Sequence, residues 1–316
     1  MFYLRFIIPI FIIISSTEVF ASCFSFLPYA FNGQYVHLPK DLEFCYKKLD
    51  GEIFIKTNKD GGRLINYKKT SSEKRILAFG DSQLLGIDFS QTNKVDQHDL
   101  EALFPGYFIE IYAAPNNGPY QSLIHIDEIR KLITNKNDQI VVSFNYGTDI
   151  FRVLSEWNVE NFVPLNSKSL ETVLKNSYIY DLIILKGIME GKFFSIKNDV
   201  NESNYNQYIN IKKYELEKQL SIWAKKLSLV LSEVGNSKTL IIYPPYWGFE
   251  KSGIKLKNSI SKDYYKFICR KDLHKIFTEV LFAETVPAVI LTGDKRHFRQ
   301  SSLKYLKANE VCLSRL

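Results

Sequence analysis

Residues 74–89 read KRILAFGDSQLLGIDF. An apolar run, Arg75–Gly80, halts at Gly80-Asp81-Ser82, and a second apolar run begins at once. A short aliphatic and aromatic run closed by a glycine has the length and composition of a buried strand. Asp and Ser directly ahead of an apolar segment are residues that cap a helix N-terminus. The stretch therefore predicts a strand–turn–helix junction, and it leaves Ser82 with two readings. It is the cap of the new helix, or it is a reactive hydroxyl presented at the carboxyl end of a strand.

Outward from this junction the pattern recurs. Four further runs rich in β-branched or aromatic residues read as strands: Tyr107–Ala114, Gln139–Tyr146, Lys238–Tyr243 and Pro287–Thr292. Segments with helical periodicity lie between them: KVDQHDLEALF, YQSLIHIDEIRKLIT, YELEKQLSIWAKKLSLVLSEV and LHKIFTEVLFAE. Strands alternating with helices imply βαβ units with right-handed crossovers and a parallel sheet covered on both faces. The expected architecture is α/β, a three-layer α/β/α sandwich on a flavodoxin-like, five-stranded parallel sheet.

Two segments fall outside that alternation. Residues 22–73 form an N-terminal extension, in which GEIFIKTNKDGGRLINY reads as two strands around an Asn-Lys-Asp-Gly-Gly turn. Residues 151–212 form an insert with a helical stretch, LETVLKNSYIYDLIILKGIMEG, and then the polar SIKNDVNESNYNQY, which reads as an exposed loop. The remainder, residues 74–316, is one domain.

Composition narrows the class. The chain has 316 residues, 46% of them hydrophobic, enough to bury a sizeable core. The net charge of +7 is spread along the chain without a dense basic block, which argues against nucleic acid as a partner. At the N-terminus, Arg5 precedes an apolar core from Phe6 to Ile14, and Val19-Phe20-Ala21 suits signal peptidase cleavage after Ala21. Residues 1–21 thus read as a signal peptide of a periplasmic or secreted protein. An uncleaved anchor, or a lipoprotein modified at Cys23, are the alternatives that would involve a membrane. The four cysteines show no metal-ligand spacing, so no metal and no cofactor are expected. In an oxidising compartment they suggest two disulfides, with Cys23–Cys45 and Cys269–Cys312 favoured because each ties down a chain end.

In open α/β sheets ligands bind outside the carboxyl ends of the strands. Taken in order, those ends carry Gly80-Asp81-Ser82-Gln83, then Ala114-Pro115-Asn116-Asn117-Gly118-Pro119. Next come Asn145-Tyr146-Gly147-Thr148-Asp149, Tyr243-Pro244-Pro245-Tyr246-Trp247 and Gly293-Asp294-Lys295-Arg296-His297. This is the inventory for acyl transfer. A serine hydroxyl needs a general base, histidine is the usual one, and a carboxylate keeps its imidazole in one tautomer. Asp294 and His297, three apart, suit that pair. Backbone N–H groups of Ser82 and Gly118 would serve a developing oxyanion. Tyr243, Tyr246 and Trp247 suit either an aromatic wall for a sugar ring or ordinary packing.

Gly80-Asp81-Ser82 after the first strand and Asp294-x-x-His297 near the C-terminus resemble the first and last blocks of the SGNH (GDSL) hydrolase family. Gly118 matches the glycine of its second block. The third block, Gly-x-Asn-Asp in the family, departs here: Tyr146-Gly147-Thr148-Asp149 puts Thr148 in the asparagine place, with Asn145 three residues early. The resemblance implies Ser82 as nucleophile and oxyanion donor, Gly118 as second donor, and Thr148 or Asn145 as third. It implies His297 as base and Asp294 as its orienter. It also implies an exported serine esterase, hydrolysing or transferring O-acyl groups on carbohydrate or envelope polysaccharide. The alternatives are a non-catalytic carbohydrate-binding protein on the same fold and a lipid esterase. A monomer is expected.

Overall fold

The computed structural model describes residues 29–48, 51–65, 74–86, 100–133, 137–154, 202–234, 237–245, 248, 256–283 and 312. The extension supplies β1 (Ala30–Phe31), β2 (Val36–His37), β3 (Glu43–Lys48), β4 (Gly51–Lys56) and β5 (Arg63–Ile65). Then come β6 (Arg75–Gly80), α1 (Ser82–Leu85), α2 (Leu100–Leu103), β7 (Phe108–Ala113), α3 (Pro119–Ile129), β8 (Gln139–Asn145) and α4 (Tyr146–Asp149). The chain continues through α5 (Glu202–Ser232), β9 (Lys238–Tyr243), α6 (Asn258–Ile268), α7 (Lys271–Ile276) and β10 (Glu279–Phe282).

Among the described residues six strands form the main sheet, in the order β10-β9-β8-β6-β7-β5. The five from β10 to β7 run parallel, and β5 adds an antiparallel edge against β7. Period-2 alternation sends successive side chains to two separate cores. Leu77, Phe79, Val142, Phe144, Leu240 and Ile242 face α3, α5 and α6, where they meet Ile126, Trp223 and Phe267. Ile76, Ala78, Ile111, Val141 and Ile241 face the other way, against Leu84 and Leu85 of α1, Leu100 of α2, and Phe44 and Ile55 of the extension. Both faces are buried, which is why these strands read as unbroken apolar runs.

A buried ion network ties the strand starts together. Arg75 donates to Asp138 through Nη2 at 2.7 Å and to Glu110 through Nη1 at 3.3 Å. Glu110 also accepts from Tyr112 Oη at 2.6 Å and from Asn58 Nδ2 at 3.2 Å. Cys269, just past α6, is disulfide-bonded to Cys312 with a Cα–Cα distance of 5.4 Å, the C-terminal pairing favoured from the sequence. Cys45 is disulfide-bonded as well, and Cys23 lies outside the described residues. Among the described residues no helix is long and apolar enough to cross a membrane.

Four expectations are corrected. The sheet is mixed and six-stranded, because Arg63–Ile65 of the extension pairs with β7. The fifth parallel strand is Glu279–Phe282, from the segment read as helix; the helix stops at Ile276 because Phe277 turns extended (φ −99°, ψ 133°) and the β-favouring EVLF pairs with β9. Pro287–Thr292 lies outside the described residues. The polar stretch read as a loop is helical from Glu202 onward, since Tyr205 is fully buried and its Oη lies 2.8 Å from Tyr146 Oη. In the extension, the Asn58–Gly62 turn is present, with the Gly61 N–H donating to Asn58 O at 3.0 Å. Beyond the single Thr57–Arg63 bridge, β4 pairs with β3 rather than with the strand that follows the turn. The signal peptide, the body of the insert at 155–201, and Asp294 and His297 are outside the described residues.

Candidate active site

The question raised by residues 80–82 has a structural answer. Asp81 is the N-cap of α1: its Oδ1 accepts from the Gln83 N–H at 2.9 Å, and its backbone is extended (φ −96°, ψ −164°). Ser82 is the first helical residue and is half-buried, while Asp81 and Gln83 on either side are buried. Capping is thus done by the aspartate. Gly80 is required one residue earlier, because a Cβ there would stand 1.9 Å from Ser143 Oγ on the neighbouring strand.

The second block sits after β7. Asn116 takes a left-handed conformation (φ 63°) and turns the chain into α3, whose N-cap is Gly118. The N-cap Gly118 N–H donates to the side chain of the N3 residue, Gln121 Oε1, at 3.0 Å, the backward half of a capping box. Asn117 reaches out of the loop and grips the extension. Its Oδ1 accepts from the Val36 N–H at 3.1 Å, and its Nδ2 donates to Val36 O at 2.8 Å.

The third block follows β8. Asp149, on the single turn of α4, accepts the Asn145 N–H at 2.8 Å. The buried Asn145 side chain is turned to Asp81, with Nδ2 3.5 Å from Asp81 Oδ2. Among the described residues its Oδ1 has no hydrogen-bond partner, and neither has the buried Ser143 Oγ. Thr148 is half-buried, and its Oγ1 donates weakly to Asn145 O at 3.5 Å.

Arg152 joins these blocks. Its Nε and Nη2 donate to Asp149 Oδ1 at 3.1 and 2.9 Å. Its Nη1 donates to Asn116 O at 3.3 Å, and its Nη2 lies 4.0 Å from Asp81 Oδ2. The stem passes Gly118 so closely that a Cβ on that glycine would come within 3.2 Å of Nε and 3.3 Å of Cδ. Burial pushes the Asp149 carboxyl up to about 7, against the pull of Arg152 and with the negative Asp81 adding to the rise.

The structure therefore brings the Ser82 junction, Gly118, Asn145 and Thr148 to the carboxyl ends of three neighbouring strands, β7, β6 and β8. Tyr243 is buried in the core rather than forming a wall, and Tyr246 and Trp247 are outside the described residues. His125 is buried between Tyr35, stacked at 4.0 Å, and the rings of Phe79 and Tyr112; burial holds it neutral with its pKa well below the usual value. His37 and His274 donate to the Leu38 and Ile268 carbonyls. Sequence reasoning missed Arg152 and Asn117. Arg152 had a signal, a lone cation three residues after Asp149 in the apolar DIFRVL; Asn117 had none, because its partner is distant backbone. Compared with known proteins, the chain matches no family model, no curated protein and no solved structure.

Proposed function

We propose that the protein is an exported serine esterase of SGNH type that removes or transfers O-acyl groups, acetyl foremost, on carbohydrate or envelope polysaccharide. The observation that carries this reading is the position of Ser82. It follows a central parallel strand, it is relieved of capping by Asp81, and it shares one sheet edge with Gly118, Asn145 and Thr148. In this reading Ser82 Oγ attacks the ester carbonyl carbon while His297, oriented by Asp294, takes the hydroxyl proton. The tetrahedral oxyanion collapses, the C–O bond to the sugar breaks, and the imidazolium returns the proton to the leaving alcohol. Water or a second sugar hydroxyl, deprotonated by the same histidine, then releases the acyl group from Ser82.

Purified mature protein should hydrolyse a small activated acetyl ester, and Ser82→Ala should lose nearly all of that activity, a drop of about 10⁴ or more by analogy with other serine nucleophiles. A Ser82→Ala variant as active as wild type would sink the assignment.

A second reading, a non-catalytic carbohydrate-binding protein, is favoured by two bonds. The Gly118 N–H is engaged by Gln121, and Thr148 stands where the family carries an amide donor. Loss of one oxyanion donor costs on the order of 10²–10³ in rate. Wild-type inactivity across a panel of acyl esters and sugar acetates, with retained binding to acetylated polysaccharide, would select this reading.

A further inference from the structure

We propose that Arg152 is a positioning residue of this site, holding the Asn116–Gly118 turn in place against the Ser82 helix; the proposal rests on the esterase reading above. The argument begins where the sheet stops. The β6–β7 ladder ends at the pair Gly80 and Ala113, and the β6–β8 ladder ends at Phe79 and Val142. Beyond those pairs the segments bearing Ser82, Gly118 and Asn145 are no longer joined to one another strand to strand, although Asn145 itself still pairs with Tyr243 of β9, so the heights of the three relative to each other depend on side chains.

Arg152 spans that gap. Two of its nitrogens grip Asp149 on the β8 side, a third holds the Asn116 carbonyl on the β7 side, and Nη2 faces Asp81, the residue that caps the Ser82 helix. The planar guanidinium fixes the direction of each bond, which a flexible ammonium does not. The close pass over Gly118 adds a steric constraint, since a Cβ there would press on Nε and Cδ at 3.2 and 3.3 Å and the arginine stem would have to shift. Asp149, Asp81 and Arg152 are only 3, 5 and 13% exposed in their side chains, so little solvent screens the charges. Where Thr148 supplies no amide, the placement of the remaining backbone donors matters more.

The consequence is kinetic. A misplacement of about 1 Å at a reacting centre costs about 10²-fold. Arg152→Gln should lower kcat on an activated acetyl ester about 10²-fold with KM changed less than about threefold, because the lost bonds position the transition state rather than bind substrate. Arg152→Lys, which restores charge without the fork, should recover no more than about tenfold. If Arg152→Gln fails to fold because it strands two buried carboxylates, Asp149→Asn with Arg152→Gln removes a charge of each sign and should fold, yet stay slow. Wild-type kcat in a folded Arg152→Gln protein, or in the double variant, overturns the proposal; the latter would mean that Arg152 only balances charge. Should wild type cleave no ester, the esterase reading falls separately, and amide hydrogen exchange decides about Arg152. Faster exchange at Asn117 and Gly118 in Arg152→Gln than in wild type supports positioning, and unchanged exchange overturns it.

Discussion

Two buried clusters in this molecule share one composition, an arginine between two carboxylates, and differ in what they join. At the strand starts Arg75 lies between Asp138 and Glu110; at the strand ends Arg152 lies between Asp149 and Asp81. The first cluster acts on strands that backbone ladders already hold: Leu77 pairs with Glu110 and with Ile140 within the sheet. Its Glu110 carboxylate is further satisfied by Tyr112 and Asn58. The second acts on loops past the end of every ladder, holds a backbone carbonyl as well, and leaves Asp149 with a raised pKa. The same three charges thus reinforce structure at one end and set loop geometry at the other. Burial is not the difference; the presence or absence of strand pairing is.

The contrast can be broken most forcefully at the strand starts. Asp138→Ala should cost about 3 kcal/mol in urea unfolding, since it removes one partner of a buried pair, while ester turnover of the folded fraction stays at the wild-type level. A fall in kcat comparable to that of Arg152→Gln would erase the distinction between the two ends.

A smaller effect is expected from pH, because Arg152 compensates part of the charge. In the folded protein Asp149 holds its proton up to about 7, while in the unfolded chain it gives the proton up near the ordinary 3.8. This raised value favours the folded state fully below about 4, and the contribution is lost as pH rises through about 7. Asp149→Asn cannot ionise, so urea midpoints of variant relative to wild type should rise between pH 5 and pH 8. A constant difference would show that Arg152 keeps Asp149 ionised across that range.

The smallest effect sharpens the picture of the strand ends. Ser143 Oγ is buried beside Gly80 and has no hydrogen-bond partner among the described residues. Ser143→Ala should be neutral or stabilising by up to about 1 kcal/mol in thermal or urea unfolding. A loss above about 1 kcal/mol would indicate that the hydroxyl is needed by the site.

Much of the fold was legible because it is local. Arg75–Gly80 and Lys238–Tyr243 match their predicted bounds, and α3 covers YQSLIHIDEI, since continuous apolar runs and 3.6-residue periodicity are written in neighbouring residues. The errors came where pairing overrides propensity. EVLF could extend a helix or start a strand, and only the neighbouring β9 decides. Arg63–Ile65 could close a hairpin with β4, but it instead finds β7. For the site, the junction and the order of residues 80–82, 118 and 145–149 along the sheet edge were readable, whereas the assignment of the helix cap was not. Asp81 and Ser82 both cap helices, and backbone geometry gives that task to Asp81.

By itself, then, the sequence determined the strand–helix alternation, the edge of the sheet at which polar residues collect, and the order in which Ser82, Gly118 and Thr148 arrive there. These follow from side-chain period and turn chemistry, which act over a few residues. Only the tertiary structure decided that Arg152 would stand between Asp81, Asp149 and the Asn116 carbonyl, and that Asn117 would hold the extension at Val36. Those contacts join residues 36 to 81 positions apart, apart from the i, i+3 pair with Asp149. Their register depends on where each ladder ends, and no local pattern encodes where a neighbouring strand will stop.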